Sequence, residues 1–227
     1  MVRRASKPIH AVKLDARALA YNGWYTRKWR WEDGVKVDTR DGKPFSTDFA
    51  FTRFLVPAMQ MYQGWALFCD CDFLFLADIA RLFDMADPQY AVQVVKHNHD
   101  PKEQVKMDGQ KQQKYLRKNW SSLMLWNCAH PSNKFLTTAA VNNEPGQWLH
   151  AFGWLRDEEI GSLPETWNHL AGVSEPVEGI TPAAVHYTLG GPWMAGHEDG
   201  PYAGLWLKER DSKRSIHHGA LPSELVR

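Results

Sequence analysis

The chain alternates short apolar runs with polar segments rich in glycine, proline and charge. GWALFCDCDFLFL (64–76), YAVQVVKH (90–97) and WSSLMLWN (120–127) predict three buried strands. AAVHYTL (183–189) predicts a late strand, and IHAVKLDAR (9–17) predicts an early strand that ends at an acid. Because helical patterns separate these runs, the order predicts an α/β fold with a mostly parallel, mixed sheet flanked by helices.

Helical periodicity lies between the predicted strands. STDFAFTRFLVPAMQMY (46–62) begins with the N-capping residues Ser46 and Thr47, and Pro57 within it predicts a kink or a shortened helix. The remaining segments predict three short helices at 77–85, 135–143 and 148–155, a loop or small hairpin at 32–44, and a polar surface loop or partial helix at 98–119.

Composition limits the class of protein. The 227 residues, 44% hydrophobic and 23% charged, predict a single domain over 1–227, with a core at about 8–197 and a tail at about 198–227. The net charge of +1 predicts no nucleic-acid partner and at most peripheral membrane contact. No apolar stretch approaches the ~20 residues that span a bilayer, and three irregularly spaced cysteines are interpreted as reduced thiols of a cytoplasmic protein.

Two acids interrupt the most apolar run. Asp70 and Asp72 follow WALFC, and residues two apart in an extended chain point to the same side. Ligands collect at the carboxyl ends of parallel strands, and carboxylate oxygens suit Mg²⁺ or Mn²⁺. The sequence therefore predicts a divalent-metal site here, the alternative being that the acids begin a loop and cap the next helix.

Two classes of metal-dependent enzyme place D-x-D after a buried strand. Phosphatases of the haloacid-dehalogenase type require a small hydroxyl or β-branched residue two positions after the second Asp, where this chain has Leu74. They also require the acids near the start of the domain, followed by a Lys and a further acidic pair, and neither arrangement is convincing here. The phosphatase interpretation is therefore the weaker of the two.

Four segments of the chain, taken in order, indicate the second class of metal-dependent enzyme. STDFAFTRFLVPAM…GWALFCDCDFLFLADIARLF, RDEEIGSL, PETWNHL and VHYTLGGPW together resemble the glycogenin and bacterial galactosyltransferase group, family 8 of the retaining glycosyltransferases. The resemblance covers most of the chain from Ser46 to Trp193. It implies a GT-A fold, and a metal-dependent transfer of sugar from a nucleotide sugar, most simply a UDP-sugar, to a glycan or other acceptor in polysaccharide or glycoconjugate assembly.

The resemblance also implies roles for individual residues. Asp70, Asp72 and His186 would hold Mn²⁺ or Mg²⁺, which as a Lewis acid neutralises the diphosphate leaving group. The alternative for His186 is a satisfied polar residue at a strand end. Arg53 would contact the donor, and its alternative is a surface arginine.

Further residues would bind the sugar and the phosphates. The resemblance assigns Asp157 to the sugar hydroxyls and Glu158 to the back face of the anomeric carbon, although an acidic cluster is usually a solvated helix start. A covalent intermediate and front-side attack both stay open. The donor would also contact Ser121, Asn168, Gly190, Gly191 and Trp193.

The chain departs from the family pattern at three places. Gly191 stands where relatives commonly carry a Lys, so phosphate would be held by backbone, by another Lys or by the 98–119 loop. Trp120, Ser121 and Ser122 stand where relatives have Asn-Ala-Gly, so recognition of the donor hydroxyls would differ. The opening MVRRASKPIHAVKLD resembles the end of the family's first helix followed by its second strand, so the fold is expected to be N-terminally incomplete unless its amino end is arranged differently.

These departures leave a second function open. A truncated transferase without the first strand would be a catalytically silent sugar-nucleotide binder. A metal-dependent phosphohydrolase is the third alternative.

Overall fold

The computed structural model describes residues 4–47, 49–97, 117, 120–176 and 178–217. They form two compact units, and the chain passes from the first to the second at Asp70–Cys71. The first unit is Met1–Asp70 with Asp78–Glu165, and the second is Cys71–Ala77 with Thr166–Arg227. The single-domain boundaries stay a prediction.

The first unit contains a four-stranded sheet in the order β3-β6-β5-β7. Its strands are β3 (Trp65–Cys69), β5 (Val92–Val94), β6 (Leu123–Asn127) and β7 (Ile160–Ser162). β6 runs antiparallel to both β3 and β5, whereas β5 and β7 are parallel. The carboxyl ends of β3 and β5 therefore lie at the same sheet edge as the start of β6, because Cys69 pairs with Leu123 and Val94 with Met124.

Short helices cover this sheet. They are α1 (Ala16–Tyr21), α2 (Val56–Met59), α3 (Ala80–Asp84), α4 (Thr138–Asn143) and α5 (Gly146–His150). Phe54, Leu55, Trp126 and Phe152 are fully buried in the core between these elements. Burial of large apolar side chains is the main favourable contribution to the stability of such a unit.

The predicted hairpin at 32–44 forms slightly earlier in the chain. β1 (Trp29–Glu32) and β2 (Val35–Asp38) pair antiparallel around Asp33 and Gly34, both of which have positive φ. Such a two-residue turn matches the twist of a hairpin.

The second unit contains a three-stranded sheet in the order β4-β9-β8. β4 (Phe73–Phe75) pairs antiparallel with β9 (Ala184–His186), and β8 (His169–Leu170) pairs parallel with β9. Leu74, Ala171, Val185 and Tyr187 form its apolar core. The described part of helix α6 (Ala203–His217) follows.

Four strand pairings in the described residues are antiparallel and two are parallel, so both sheet directions are present. The predicted mixed α/β fold is thus confirmed, with a larger antiparallel share than the alternation of elements indicated. The reason is that β6 runs antiparallel to both of its neighbours and β9 runs antiparallel to β4.

Two sequence predictions of local structure are wrong. Residues 9–17 form no strand: Asp15 instead caps α1, because its carboxylate accepts the backbone N–H groups of Arg17 and Ala18. Ser46 and Thr47 cap no helix, since the first helical turn is a 3-10 turn, Thr52–Leu55, that starts after Phe51.

Two other predictions change in detail. The helix predicted over 46–62 is short, and Pro57 lies in the first turn of α2, where its missing N–H has no partner to lose. The predicted strand at 64–76 is two strands, β3 and β4, which belong to different sheets and are separated by Asp70–Asp72. Most of the predicted 98–119 loop lies outside the described residues.

No helix in the described ranges is long and apolar enough to cross a bilayer.

A buried ion pair stabilises the hairpin. Arg27 Nε donates to Asp38 Oδ2 at 2.8 Å, and Arg27 Nη1 donates to the carbonyl of Val141 at 2.8 Å. The Arg27 and Asp38 side chains are 0% and 2% exposed. We expect Arg27→Met to lower the free energy of unfolding by about 3–5 kcal/mol, because it leaves a buried carboxylate without its partner.

Urea unfolding followed by circular dichroism measures this change. Arg30→Met is the matched control, because Arg30 and Glu32 form an exposed pair at 2.5 Å that contributes about 0–1 kcal/mol. Equal destabilisation by the two variants would contradict the assignment.

Candidate functional site

Backbone pairing places Asp72 beside His186 in the second unit. Phe73 pairs with His186 in the β4–β9 ladder, and the N–H of Tyr187 donates to the carbonyl of Asp72 at 3.0 Å. The two side chains then meet, with His186 Nε2 3.4 Å from Asp72 Oδ1. His186 is buried, whereas the Asp72 side chain is 30% exposed, so the pair has one side open to solvent.

Two neighbours fix the orientation of the imidazole. His186 Nδ1 lies 3.0 Å from Asn168 Oδ1, and Asn168 is fully buried. Because an amide oxygen only accepts, Nδ1 carries a proton and Nε2 is directed at Asp72. The ring of Phe73 stacks on the imidazole at 4.4 Å between centroids, which prevents the ring from turning.

This arrangement fits a divalent cation. An amide or carboxylate that holds one ring nitrogen of a histidine while the other faces outward is the usual support of a metal-binding imidazole. Two ligand atoms at about 2.1 Å from one ion and at right angles lie about 3 Å apart, close to the distance between Nε2 and Oδ1. Carboxylate oxygen and imidazole nitrogen are both common ligands of divalent metal ions in proteins.

In the first unit, Asp70 lies at the end of β3 and is held by Arg53. Arg53 Nη2 is 2.9 Å from Asp70 Oδ1 and Arg53 Nη1 is 3.2 Å from Oδ2, a two-point contact. The side chains are 8% and 15% exposed. Arg53 is thus a buried, paired residue, and the alternative of a surface arginine is wrong.

Ser121 completes the surroundings of Arg53. Its carbonyl accepts from Arg53 Nη1 at 2.8 Å, and its hydroxyl lies 2.9 Å from Nδ1 of His150. The His150 ring packs against Phe54 at 5.2 Å between centroids. His150 was not predicted to lie near the site, because it ends a short helix, α5, that matches no recognisable motif.

The acidic cluster divides into exposed and buried members. Asp157 and Glu158 are exposed, and Asp157 is ion-paired with Arg117. Glu159 is buried: its carboxylate accepts the Ser132 hydroxyl at 2.5 Å and the N–H of Arg156 at 2.9 Å. The predicted roles of Asp157 and Glu158 stay predictions, while Glu159 has a structural role that sequence reasoning missed.

The glycine pair of the second unit has local structural causes. Gly190 has φ +121°, and a Cβ there would lie 3.0 Å from the ring of His197. A Cβ on Gly191 would lie 2.2 Å from the ring of Trp193. Trp193 is 46% exposed and packs edge-on against Tyr187. The tight turn predicted before Pro192 therefore needs both glycines.

The structure groups the predicted site residues within each unit. Arg53, Asp70 and Ser121 are in contact in the first unit, and Asp72, Asn168 and His186 are in contact in the second. Asp157 contacts Arg117 in the first unit. Asn168 is predicted to bind the sugar donor; its Oδ1 lies 3.0 Å from His186 Nδ1, and the donor-binding role stays a prediction.

Protein CDI of Arabidopsis thaliana is 46% identical to this chain over 214 residues, which are 93% of this chain and 78% of that protein. The chain belongs to the CDI family. No protein-family model matches the chain.

Solved structures show the fold of this CDI-family chain. The WbbM bifunctional glycosyltransferase superposes with a TM-score of 0.51 at 17% identity over 73% of this chain. The glycosyltransferase GlyE of Streptococcus pneumoniae TIGR4 superposes with a TM-score of 0.50 at 14% identity over 78% of it. The chain spans 36% and 49% of those two chains. The predicted GT-A-type fold is confirmed.

The buried carboxylate of Glu159 predicts a pH dependence of stability. The hydrogen bond from the Ser132 hydroxyl has the largest effect on the Glu159 carboxyl and lowers its pKa from the ordinary value of 4.5. Burial raises this pKa, and the hydrogen bond from the backbone N–H of Arg156 lowers it further. A lowered folded-state pKa stabilises the fold above the unfolded pKa, and this contribution is lost as pH falls through the folded pKa. We expect Ser132→Ala to be less stable than the wild type at pH 7. The difference in melting temperature between the two proteins should become smaller below pH 4.5.

Thermal unfolding of both proteins at a series of pH values measures this difference. Ser212→Ala serves as the control, because the Ser212 hydroxyl donates to the backbone carbonyl of Glu209 rather than to a carboxylate. A difference between Ser132→Ala and wild type that stays constant down to pH 3 would contradict the assignment.

Proposed function

We propose that this CDI-family protein is a metal-dependent glycosyltransferase that moves a sugar from a UDP-sugar to a glycan or other acceptor, with retention of anomeric configuration. The observation that carries the proposal is the contact of His186 Nε2 with Asp72 Oδ1, oriented by Asn168, in a chain with a glycosyltransferase fold. Asn168 holds one ring nitrogen, so the other is left for an ion that the 30% exposed Asp72 carboxylate would share.

Asp70, Asp72 and His186 are proposed as the ligands of Mn²⁺ or Mg²⁺. They offer two carboxylate oxygens, the hard ligands that these ions prefer, and one imidazole nitrogen, a borderline donor that Mn²⁺ accepts more readily than Mg²⁺. Asp70 is two residues before Asp72, so the covalent chain alone holds their Cα atoms within about 7 Å of each other. When bound, the ion supplies positive charge to the diphosphate as it leaves.

The residues of the first unit are proposed to bind the sugar. Arg53 is buried and makes a two-point contact with Asp70, which fixes the carboxylate and offsets its charge. Ser121 and Asp157 would bind sugar hydroxyls, and Glu158 would lie at the back face of the anomeric carbon. Covalent catalysis and front-side attack remain alternative routes to retention.

The turn at Gly190–Trp193 is proposed to cover the donor phosphates. Gly191 leaves the backbone without a side chain at this turn, so N–H groups rather than a lysine would approach the phosphate. Asn168 would act on the donor indirectly, by orienting His186.

We also propose that the protein is of the family 8 type and that its sheet accepts a further strand beside β3. β3 is an edge strand in the described sheet, and all five of its residues are only half-buried. An apolar edge strand of this kind is usually covered. From the small number and irregular spacing of the cysteines we further propose a cytoplasmic location, and from the family resemblance a role in polysaccharide or glycoconjugate assembly.

Asp72→Asn tests the function directly. We expect this variant to fold normally and to lose Mn²⁺-dependent donor hydrolysis and transfer by at least about 100-fold, because an amide binds the ion far more weakly than a carboxylate. UDP release from a panel of UDP-sugars, with and without Mn²⁺, is the measurement. Asp84→Asn, at an exposed pair with Lys7, is the matched control.

Three outcomes separate the functions. Unchanged turnover in Asp72→Asn contradicts the metal site. Binding of UDP with Mn²⁺ without turnover by the wild-type protein supports the silent binder instead. Failure to bind UDP, together with hydrolysis of p-nitrophenyl phosphate, supports the phosphohydrolase.

Asn168→Ala tests how the imidazole is oriented. Removal of a group that orients a metal-binding histidine commonly weakens metal affinity by about 10–100-fold. We expect a decrease of that size in Mn²⁺ affinity, measured by electron paramagnetic resonance of free Mn²⁺. Asn143→Ala, at an exposed asparagine of α4, should bind Mn²⁺ as the wild type does; equal affinity in Asn168→Ala would contradict the role.

A further inference from the structure

A cluster of two cations and one indole lies beside the residues proposed to bind the sugar. Lys96 Nζ is 5.7 Å from the centre of the Trp120 ring, and the guanidinium carbon of Arg117 is also 5.7 Å from it. Trp120 Nε1 donates to the carbonyl of His97 at 3.3 Å, which fixes the plane of the ring. We call Lys96, Trp120 and Arg117 the cationic platform.

The cationic platform contacts the predicted sugar-binding residues on two sides. Trp120 directly precedes Ser121, whose carbonyl accepts from Arg53. Arg117 is ion-paired with Asp157. All of these contacts lie within the first unit, so a sugar bound by Ser121 and Asp157 lies next to the indole and the two cations.

The charge of the platform is only partly offset. Asp157 neutralises Arg117. The part-buried Lys96 ammonium donates to the backbone carbonyl of Ile160 at 2.6 Å and faces Trp120, and it has no carboxylate partner in the described ranges of the chain. A part-buried cation without an acid costs stability, unless a bound anion completes its surroundings.

We infer that the donor sugar carries a carboxylate, as a uronic acid does, and that Lys96 binds this carboxylate while Trp120 packs against the sugar ring. The inference rests on the proposed function, because it assumes that a nucleotide sugar occupies this site. A neutral hexose would satisfy the hydroxyl-binding residues but would bring no carboxylate to the ammonium. A charge-assisted hydrogen bond from lysine to carboxylate supplies the missing partner.

The test compares two donors that differ only at the sugar C6 group. UDP-glucuronate, UDP-glucose and UDP are titrated with Mn²⁺ into the full chain by isothermal calorimetry. We expect UDP-glucuronate to bind about tenfold more tightly than UDP-glucose, from the usual strength of a hydrogen bond between charged groups. Equal affinity of the two donors overturns the inference.

Variants at Lys96 locate the effect. We expect Lys96→Met to weaken UDP-glucuronate binding about tenfold and to leave UDP and UDP-glucose unchanged, and Lys96→Arg to retain the preference. Lys134→Met is the matched control, because Lys134 is exposed on a 3-10 turn. A loss of affinity that is equal for UDP and both donors would show a structural role for Lys96 and overturn the inference.

The two proposals fail in different ways. If UDP binds with Mn²⁺ but the two donors bind equally well, only the uronate inference fails. If none of the three ligands binds, the proposed function fails and the uronate inference fails with it.

Discussion

The contact between Asp72 and His186 depends on one local constraint, the antiparallel pairing of β4 with β9. This ladder places Phe73 opposite His186, so the residue before the strand, Asp72, lies beside the imidazole. Asn168 then takes one ring nitrogen and Phe73 covers the ring face, which leaves the second nitrogen directed at the carboxylate. A register shift of one residue would turn His186 to the other face of the sheet and remove the contact.

The second fixed point is the Arg53–Asp70 contact at the end of β3. A guanidinium with both outer nitrogens on one carboxylate is a rigid arrangement, and both side chains are largely buried. The carbonyl of Ser121, in the 3-10 turn before β6, accepts from Arg53, and the Ser121 hydroxyl is hydrogen-bonded to His150. The pair thus holds the Asp70 carboxylate in a fixed position at the end of β3.

The sequence predicted the mixed α/β fold and the place of the acid pair directly after a strand, but not the bounds of the individual elements. The position of Asp70 and Asp72 after an apolar strand followed from strand periodicity, and the importance of His186 followed from the family resemblance. The break of residues 64–76 into two strands was not predictable, because both halves are equally apolar and only the partner strands β6 and β9 separate them. Asp15 was misread since an acid after an apolar run can end a strand or cap a helix.

Contacts between distant residues explain the other omissions. Nothing in the sequence around Glu159 distinguishes it from Asp157 and Glu158, and only the contact with Ser132 shows which acid is buried. Lys96 likewise looks like an ordinary residue at a strand end until Trp120 and the Ile160 carbonyl are placed beside it. Such partners are fixed by tertiary packing, which no short pattern records.

The most direct test of the central claim is calorimetric titration of Mn²⁺, in the presence of saturating UDP, into the wild-type protein and into His186→Ala. The account predicts one Mn²⁺ site in the wild type and a loss of Mn²⁺ affinity of at least about 100-fold in the variant, while UDP alone binds both proteins equally weakly. The same Mn²⁺ affinity in both proteins would contradict it.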